Sequence, residues 1–266
     1  MSSPVLLDRM AANFAEHSCH LHRKTAGMTV VETDDLVIAD GDVADDTFNI
    51  ITGTRFTEST VDIRIAETVA MIGGRFSWWV DSTSTPGNLS DRIAAAGFPA
   101  LEPEPGMVAD LASLPALEVP PGLRIERVRD AGQLADYAAI LAANWSPPAS
   151  GVIRFYERAA VAALDPACQT RCFVGYVGDA AVCAAEAFLA HGVAGIYNIS
   201  TLAGFRRRGF GRAITLSALL AARAEGFGTA VLQTSPDGQE LYRGLGFTVA
   251  GSFTEHSVTG SRRSDP

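Results

Sequence analysis

Arg206-Arg207-Arg208-Gly209-Phe210-Gly211 lies between an apolar run, Ile196 to Leu202, and an alanine- and leucine-rich stretch, Arg212 to Glu225. The order predicts a strand, a basic glycine-bearing turn, and a helix. Helix starts carry unpaired N–H groups and a partial positive charge. Glycines there let the backbone approach a ligand closely. A phosphate-bearing molecule is therefore the expected ligand of this turn.

Three phosphate-binding patterns compete for the stretch. A P-loop needs Gly-x4-Gly-Lys-Ser/Thr; Gly204 and Gly209 hold the spacing, but Phe210 and Gly211 stand where Lys and Ser/Thr belong. A dinucleotide fingerprint needs Gly-x-Gly-x-x-Gly; Gly209 and Gly211 begin it, and Ile214 occupies the third glycine position. The third pattern, Arg/Gln-x-x-Gly-x-Gly/Ala between strand and helix, fits without a gap. It resembles the pyrophosphate-binding motif of the GNAT superfamily, the acyl-CoA-dependent N-acyltransferases. Downstream come a strand-like run, Thr229 to Thr234, a turn, Ser235-Pro236-Asp237-Gly238, and a short helix, Gln239 to Gly246, before Phe247 to Phe253. Leu241-Tyr242-x-x-Leu245-Gly246-Phe247 is similar to the second GNAT signature and sits at the expected distance from the first. Taken alone, the six-residue turn also reads as an arginine-rich helix start with a solvated charge cluster.

At 266 residues, 47% hydrophobic and 19% charged, the chain holds enough apolar material for one or two cores. No apolar run reaches the roughly 18 residues of a membrane span, and Met1 to Asp8 lacks the basic start and apolar core of a signal peptide. Of the four cysteines, Cys19, Cys168, Cys172 and Cys183, only Cys168-x3-Cys172 is a close pair, and no histidine cluster accompanies it. Zinc is not expected; buried free thiols in a reducing cytoplasm are. The net charge of −9 opposes nucleic-acid binding through a broad basic face and suits a cationic amine, although acidity also serves solubility. Lys24 is the single lysine; with so much arginine and alanine the composition points to a GC-rich bacterial genome.

Leu117-Glu118-Val119-Pro120-Pro121-Gly122 reads as a linker between a domain over 1–116 and another over 123–266. In the second, Leu123 to Val128 alternates as a half-buried strand does. Helices are expected over Ala131 to Trp145 and Val152 to Leu164. Strands are expected over Cys172 to Val177, Ala181 to Leu189 and Val193 to Leu202, the first two joined at Gly178-Asp179. The resulting order, β-α-α-β-β-β-α-β-α-β, is that of the GNAT fold. In the first domain, Pro4 to Thr25 predicts a helix. Val30 to Thr33 and Leu36 to Ala39 predict a hairpin, and Phe48 to Phe56 a strand. Val61 to Gly73 predicts a helix, Arg75 to Val80 a strand, and Leu89 to Phe98 a short helix ending in Gly-Phe. The same β-β-β-α-β-α order thus occurs twice, and we read the first half as a diverged copy of the second. Its helix is preceded by Thr57-Glu58-Ser59-Thr60, without glycine or arginine, so no second cofactor site is expected. The fold class is α/β (α+β): a GNAT fold with a mixed, mostly antiparallel sheet flanked by helices, in tandem with a smaller degenerate GNAT-like domain.

The resemblance implies an N-acetyltransferase with acetyl-CoA as cosubstrate. It implies that the N–H groups of Arg207, Arg208, Gly209, Phe210, Gly211 and Arg212 face the pyrophosphate, with the side chains of Arg206 and its neighbours adding charge-assisted bonds. It further implies that Ile199 and Thr201 pair with the pantetheine arm, the Ile199 N–H polarising the thioester carbonyl, and that Tyr242 protonates the leaving thiolate. A phenol, with an ordinary pKa of about 10, is suited to that role at neutral pH. Ser235 is a candidate contact to the cofactor arm or a turn-capping serine. Glu186, the sole acid of the Ala181–Leu202 region, is a candidate base facing the cleft or a carboxylate facing solvent; ordered water is the alternative base. His191, beside Gly192, reads as a turn residue. Trp145 to Phe155 is the expected acceptor-binding segment. The acidic stretch from Glu32 to Asp62 attracts a cation or is a solvated face.

The leading expectation is direct acetyl transfer to a small-molecule or peptide amine, with no nucleic acid or membrane partner, no metal, and a homodimer among the open oligomeric states. The competing class is a non-catalytic acyl-CoA sensor or interaction module.

Overall fold

The computed structural model describes residues 3–44, 46–235 and 238–261. Two compact units form, one from residues 1–105 and 251–266, the other from 106–250. The division differs from the halves set by the Leu117–Gly122 stretch. The reason lies in two strands that cross the sequence boundary.

The first unit begins with α1 (Pro4–Cys19), β1 (Thr29–Glu32), β2 (Val37–Asp40) and β3 (Ile50–Thr52), then α2 (Val61–Met71), β4 (Gly73–Asp81) and α3 (Leu89–Ala95). The chain continues into β5 (Glu104–Asp110), whose residues from Gly106 onward pair antiparallel with a strand of the second unit. There follow β6 (Leu123–Arg127), α4 (Ala131–Ala142), α5 (Ser150–Ala163), β7 (Thr170–Val177), β8 (Ala180–Ala190), β9 (Val193–Thr201), α6 (Phe210–Ala224), β10 (Thr229–Gln233) and α7 (Gln239–Arg243). The last strand, β11 (Thr248–Ser261), returns to the first unit and pairs antiparallel with β4 from Phe253↔Asp81 to Ser261↔Gly73. The order within the first unit is β1-β2-β3-β4-β11; within the second it is β5-β10-β9-β8-β7-β6.

Both units share a mostly antiparallel sheet with one parallel pair, β3 with β4 and β9 with β10. Each parallel pair is spanned by one helix, as a crossover requires. In the first unit the strands close again beyond their two paired positions. Arg55 bridges Thr85, the Phe56 N–H donates to Thr85 O at 3.0 Å, and the Thr85 N–H donates to Thr54 O at 3.2 Å. The Trp78 indole N–H donates to Thr54 Oγ1 at 2.9 Å. The start of α2 is also self-satisfied: the N–H groups of Thr60 and Val61 both donate to Thr57 O.

In the second unit α6 covers one face of the sheet, with Phe210, Ala213, Ile214, Ala218, Leu219 and Ala222 buried at helical spacing. The helix ends in a left-handed Gly226, with the Phe227 N–H closing onto Ala222 O at 3.2 Å. Helix α4 packs on β7, β8 and β9 and on α5. It is capped by Asp130, whose carboxylate accepts the Gln133 N–H at 2.9 Å. Strand β8, apart from Glu186, and the first half of β9 are covered on both faces and are therefore apolar without alternation. His191 (φ 53°) and Gly192 (φ 73°) form the turn between them.

Candidate active site

The basic turn leaves β9, passes a short 3-10 segment, Ala203–Phe205, and opens α6. Arg207 (φ 62°) and Gly209 (φ 81°) both adopt the left-handed region. The helix ladder begins only with the Ala213 N–H donating to Gly209 O at 3.0 Å. Among the described residues, the N–H groups of Arg207 through Arg212 have no acceptor. Six consecutive amides bending through left-handed positions make an anion-binding concavity. The side chains of Arg206, Arg208 and Arg212 are directed to other partners. The Arg206 Nε donates to Thr201 O at 3.0 Å. The Arg208 guanidinium donates to Gly204 O at 3.1 Å and lies over the Phe205 ring. Arg212 Nη1 donates to Gly244 O at 2.9 Å. Three of the four arginines expected at the phosphates are thus committed to the protein; the backbone is the free surface.

Beside the turn the sheet opens. Parallel pairing of β9 with β10 is confined to Ala194↔Ala230 and Gly195↔Val231. On its other edge, β9 slips register against β8: Ala184 faces Ser200, whereas Glu186 faces Tyr197. Asn198, at φ 51°, and Ile199 occupy the extra position of this bulge. Ile199 therefore has no register partner on either neighbouring strand. Thr201 is back in register, opposite Cys183. Its Oγ1 comes so near Gly211 that a Cβ there would lie 3.5 Å away.

Glu186 faces neither solvent nor an alternating strand surface: it is 2% exposed. Its Oε2 accepts the Tyr137 hydroxyl at 2.8 Å, and its Oε1 accepts the Asn198 amide at 3.0 Å. The Cys172 thiol is 3.7 Å from Oε2. The Tyr156 hydroxyl bonds Tyr137 and accepts from Asn198 Nδ2 at 3.4 Å. Burial first, and then the Glu186 charge, pushes Tyr137, Tyr156 and Cys172 far up, so all three remain neutral. Tyr137, Tyr156 and Asn198 were not legible as site residues. The one signal was the amide of Asn198 within a strand that is apolar up to that point. All four cysteines are free and buried.

Tyr242 lies on α7 and is 7% exposed, edge-on to Phe247 at 5.9 Å. The Arg212–Gly244 bond ties the start of α6 to the end of this helix, so the structure brings the turn and the Tyr242 helix together. At the end of β10, Thr234 Oγ1 donates to Ser235 O at 3.0 Å, and Ser235 is exposed. Pro236 and Asp237 of the expected turn lie outside the described residues. The Trp145–Phe155 segment divides. Trp145 is 49% exposed in the loop before α5, while Val152 and Phe155 belong to the core face of that helix. Four of the nine acids in the Glu32–Asp62 stretch form local ion pairs among the described residues: Glu32 with Arg23, Asp35 with Arg64, Asp46 with Arg75 and Asp62 with Arg92. Among the described residues, no helix is long and apolar enough to cross a membrane.

Residues 134–247 match the sequence model of the Acetyltransferase (GNAT) family. No curated protein matches the chain. Among solved structures, the chain is similar to a GCN5-related N-acetyltransferase from Kribbella flavida, with 19% identity, a TM-score of 0.68, and 95% of this chain and 96% of that one covered. A GNAT-family acetyltransferase from Novosphingobium aromaticivorans is 15% identical at a TM-score of 0.62, covering 97% and 100%. A GCN5-related N-acetyltransferase from Sphaerobacter thermophilus is 16% identical at 0.59, covering 99% and 95%. Residues 134–247 thus carry the GNAT acetyltransferase family match, and the chain as a whole has the α+β GNAT-like fold.

Proposed function

We propose that residues 106–250 transfer an acetyl group from acetyl-CoA to a primary amine by direct attack in a ternary complex. The observation that carries this reading is the run of unpaired amides from Arg207 to Arg212 beside the opening between β9 and β10. These groups fit a diphosphate: they are donors only, they sit at the positive end of a fifteen-residue helix, and Gly209 and Gly211 keep the approach clear. Acetyl-CoA supplies an activated acyl group whose C–S bond breaks as the C–N bond to the amine forms.

The protein's part is then positional and acid–base. Arg207 to Arg212 hold the diphosphate through backbone, with Arg206 and Arg208 contributing positive charge. Ile199 and Thr201 offer backbone groups to the pantetheine arm, the Ile199 N–H to the carbonyl oxygen, and Ser235 its hydroxyl. Tyr242 donates its phenolic proton to the departing sulfur. Glu186 is assigned the amine's proton. Because its carboxylate is enclosed, that proton travels through the Tyr156 and Tyr137 hydroxyls, an existing hydrogen-bond chain that ends on Oε2. Trp145, exposed before α5, is assigned to the acceptor side.

The test is thiol release from acetyl-CoA across a panel of polyamines, amino acids, aminoglycosides and peptide N-termini. Acceleration by one class supports the reading and names the acceptor. Binding without acceleration by any member makes the protein an acyl-CoA sensor, and absence of binding removes both.

A further inference from the structure

Asn198 is the one non-glycine residue of β9 with a left-handed backbone, and it sits where the strand loses register. L-residues resist that conformation, asparagine less than most. Its side chain is not idle. Nδ2 donates to a carboxylate on the adjoining strand, itself held from α4 by Tyr137, and lies 3.4 Å from the hydroxyl of Tyr156 on α5. The bulge is therefore tied to a buried carboxylate held from α4, and to a hydroxyl on α5. Asn198 and Ile199 share the single position opposite Ala185, so without that tie the bulge keeps its extra residue but its backbone is free to turn, which would re-aim the Ile199 N–H.

We propose that Asn198 is a positioning residue: its bond to Glu186 and its left-handed backbone together lock the bulge that keeps the Ile199 N–H available to a thioester carbonyl. The inference rests on the acetyl-CoA reading above and assigns Asn198 no contact with substrate.

The experiment compares full-length wild type with N198A, N198D and N198G, each saturated with acetyl-CoA labelled with carbon-13 at the carbonyl. N198D sets a second carboxylate against Glu186. N198G keeps the left-handed backbone and removes the bond. Affinity is measured by titration and carbonyl polarisation by the infrared stretch of the bound label. In wild type the stretch lies below that of free acetyl-CoA. In N198A and N198D it returns most of the way to the free value, kcat falls about 10- to 100-fold, and the dissociation constant stays within about threefold. N198G, whose backbone is unstrained, shows a smaller return and carries the test if N198A does not fold. An unshifted difference between wild type and all three variants, or a kcat loss matched by an equal loss of affinity, overturns the proposal. Failure of wild type to bind acetyl-CoA instead refutes the parent reading and is seen before any variant is made.

Discussion

Tyr242 carries the most exposed assignment in the account. Replacing it with phenylalanine preserves the packing against Phe247 and removes only the hydroxyl. Tyr242→Phe is expected to lower kcat by about 100-fold or more while leaving acetyl-CoA affinity unchanged, read by steady-state kinetics beside calorimetry. An unaltered kcat returns the residue to a packing role. Gly175 makes a purely structural prediction. A Cβ there would lie 2.4 Å from Cys183 Sγ and 3.1 Å from Leu123. Gly175→Ala should therefore cost about 1–3 kcal/mol in urea denaturation, and adding Cys183→Ala should recover part of it. The family was legible because the turn and the Leu241–Phe247 stretch form two ordered motifs inside the matched residues 134–247. Glu186 was named, but its surroundings were not. A carboxylate in a strand buried on both faces must find partners, and Tyr137, Asn198 and Cys172 come from three other elements, Tyr137 from 49 residues away. Spacing cannot reveal them.

At the scale of elements, the start of α6 decides the site. Gly209 holds φ 81°, and a Cβ on it would meet Pro120 at 3.3 Å. Gly209→Ala should destabilise the second unit by about 1–2 kcal/mol, detected as a lower urea midpoint at constant slope. Helices and central strands matched their expected places within a few residues, since periodicity and caps such as Asp130 and Gly226 act locally. Two strands escaped the reading. In β5, Glu104-Pro105-Gly106 looks like a turn, and only four residues follow before the strand ends. In β11, the run was expected to stop at Phe253, whereas it extends to Ser261 along β4. Its second half, Glu255 to Ser261, holds Val258 as the lone large apolar residue among polar ones and a glycine, a pattern too weakly apolar to mark a strand without its partner.

For the molecule as a whole, those two strands matter most. The strand after α3 completes the second unit and the strand after α7 completes the first, so neither sequence half is a complete unit. Truncation after Ala250 is expected to leave one edge of β4 unpaired and to abolish the cooperative unfolding of residues 1–105, measured by circular dichroism and limited proteolysis. The first unit also carries the acid sensitivity. Burial depresses His22 and His256 below their ordinary value of 6.5. Because the unfolded chain binds those protons more readily, the stability they contribute is complete above about pH 6.5 and is lost as the pH falls below it. A melting temperature that declines from pH 7 to 5.5 checks the sign. The repeated strand and helix order was visible in the sequence; the exchange of final strands was not, because a strand's pattern states that it pairs but not with which partner. The most direct measurement is calorimetric titration of the full chain with acetyl-CoA. The open turn of the second unit and the closed strands of the first predict saturable binding at one site per chain. Absence of binding, or two equivalent sites, would contradict the account.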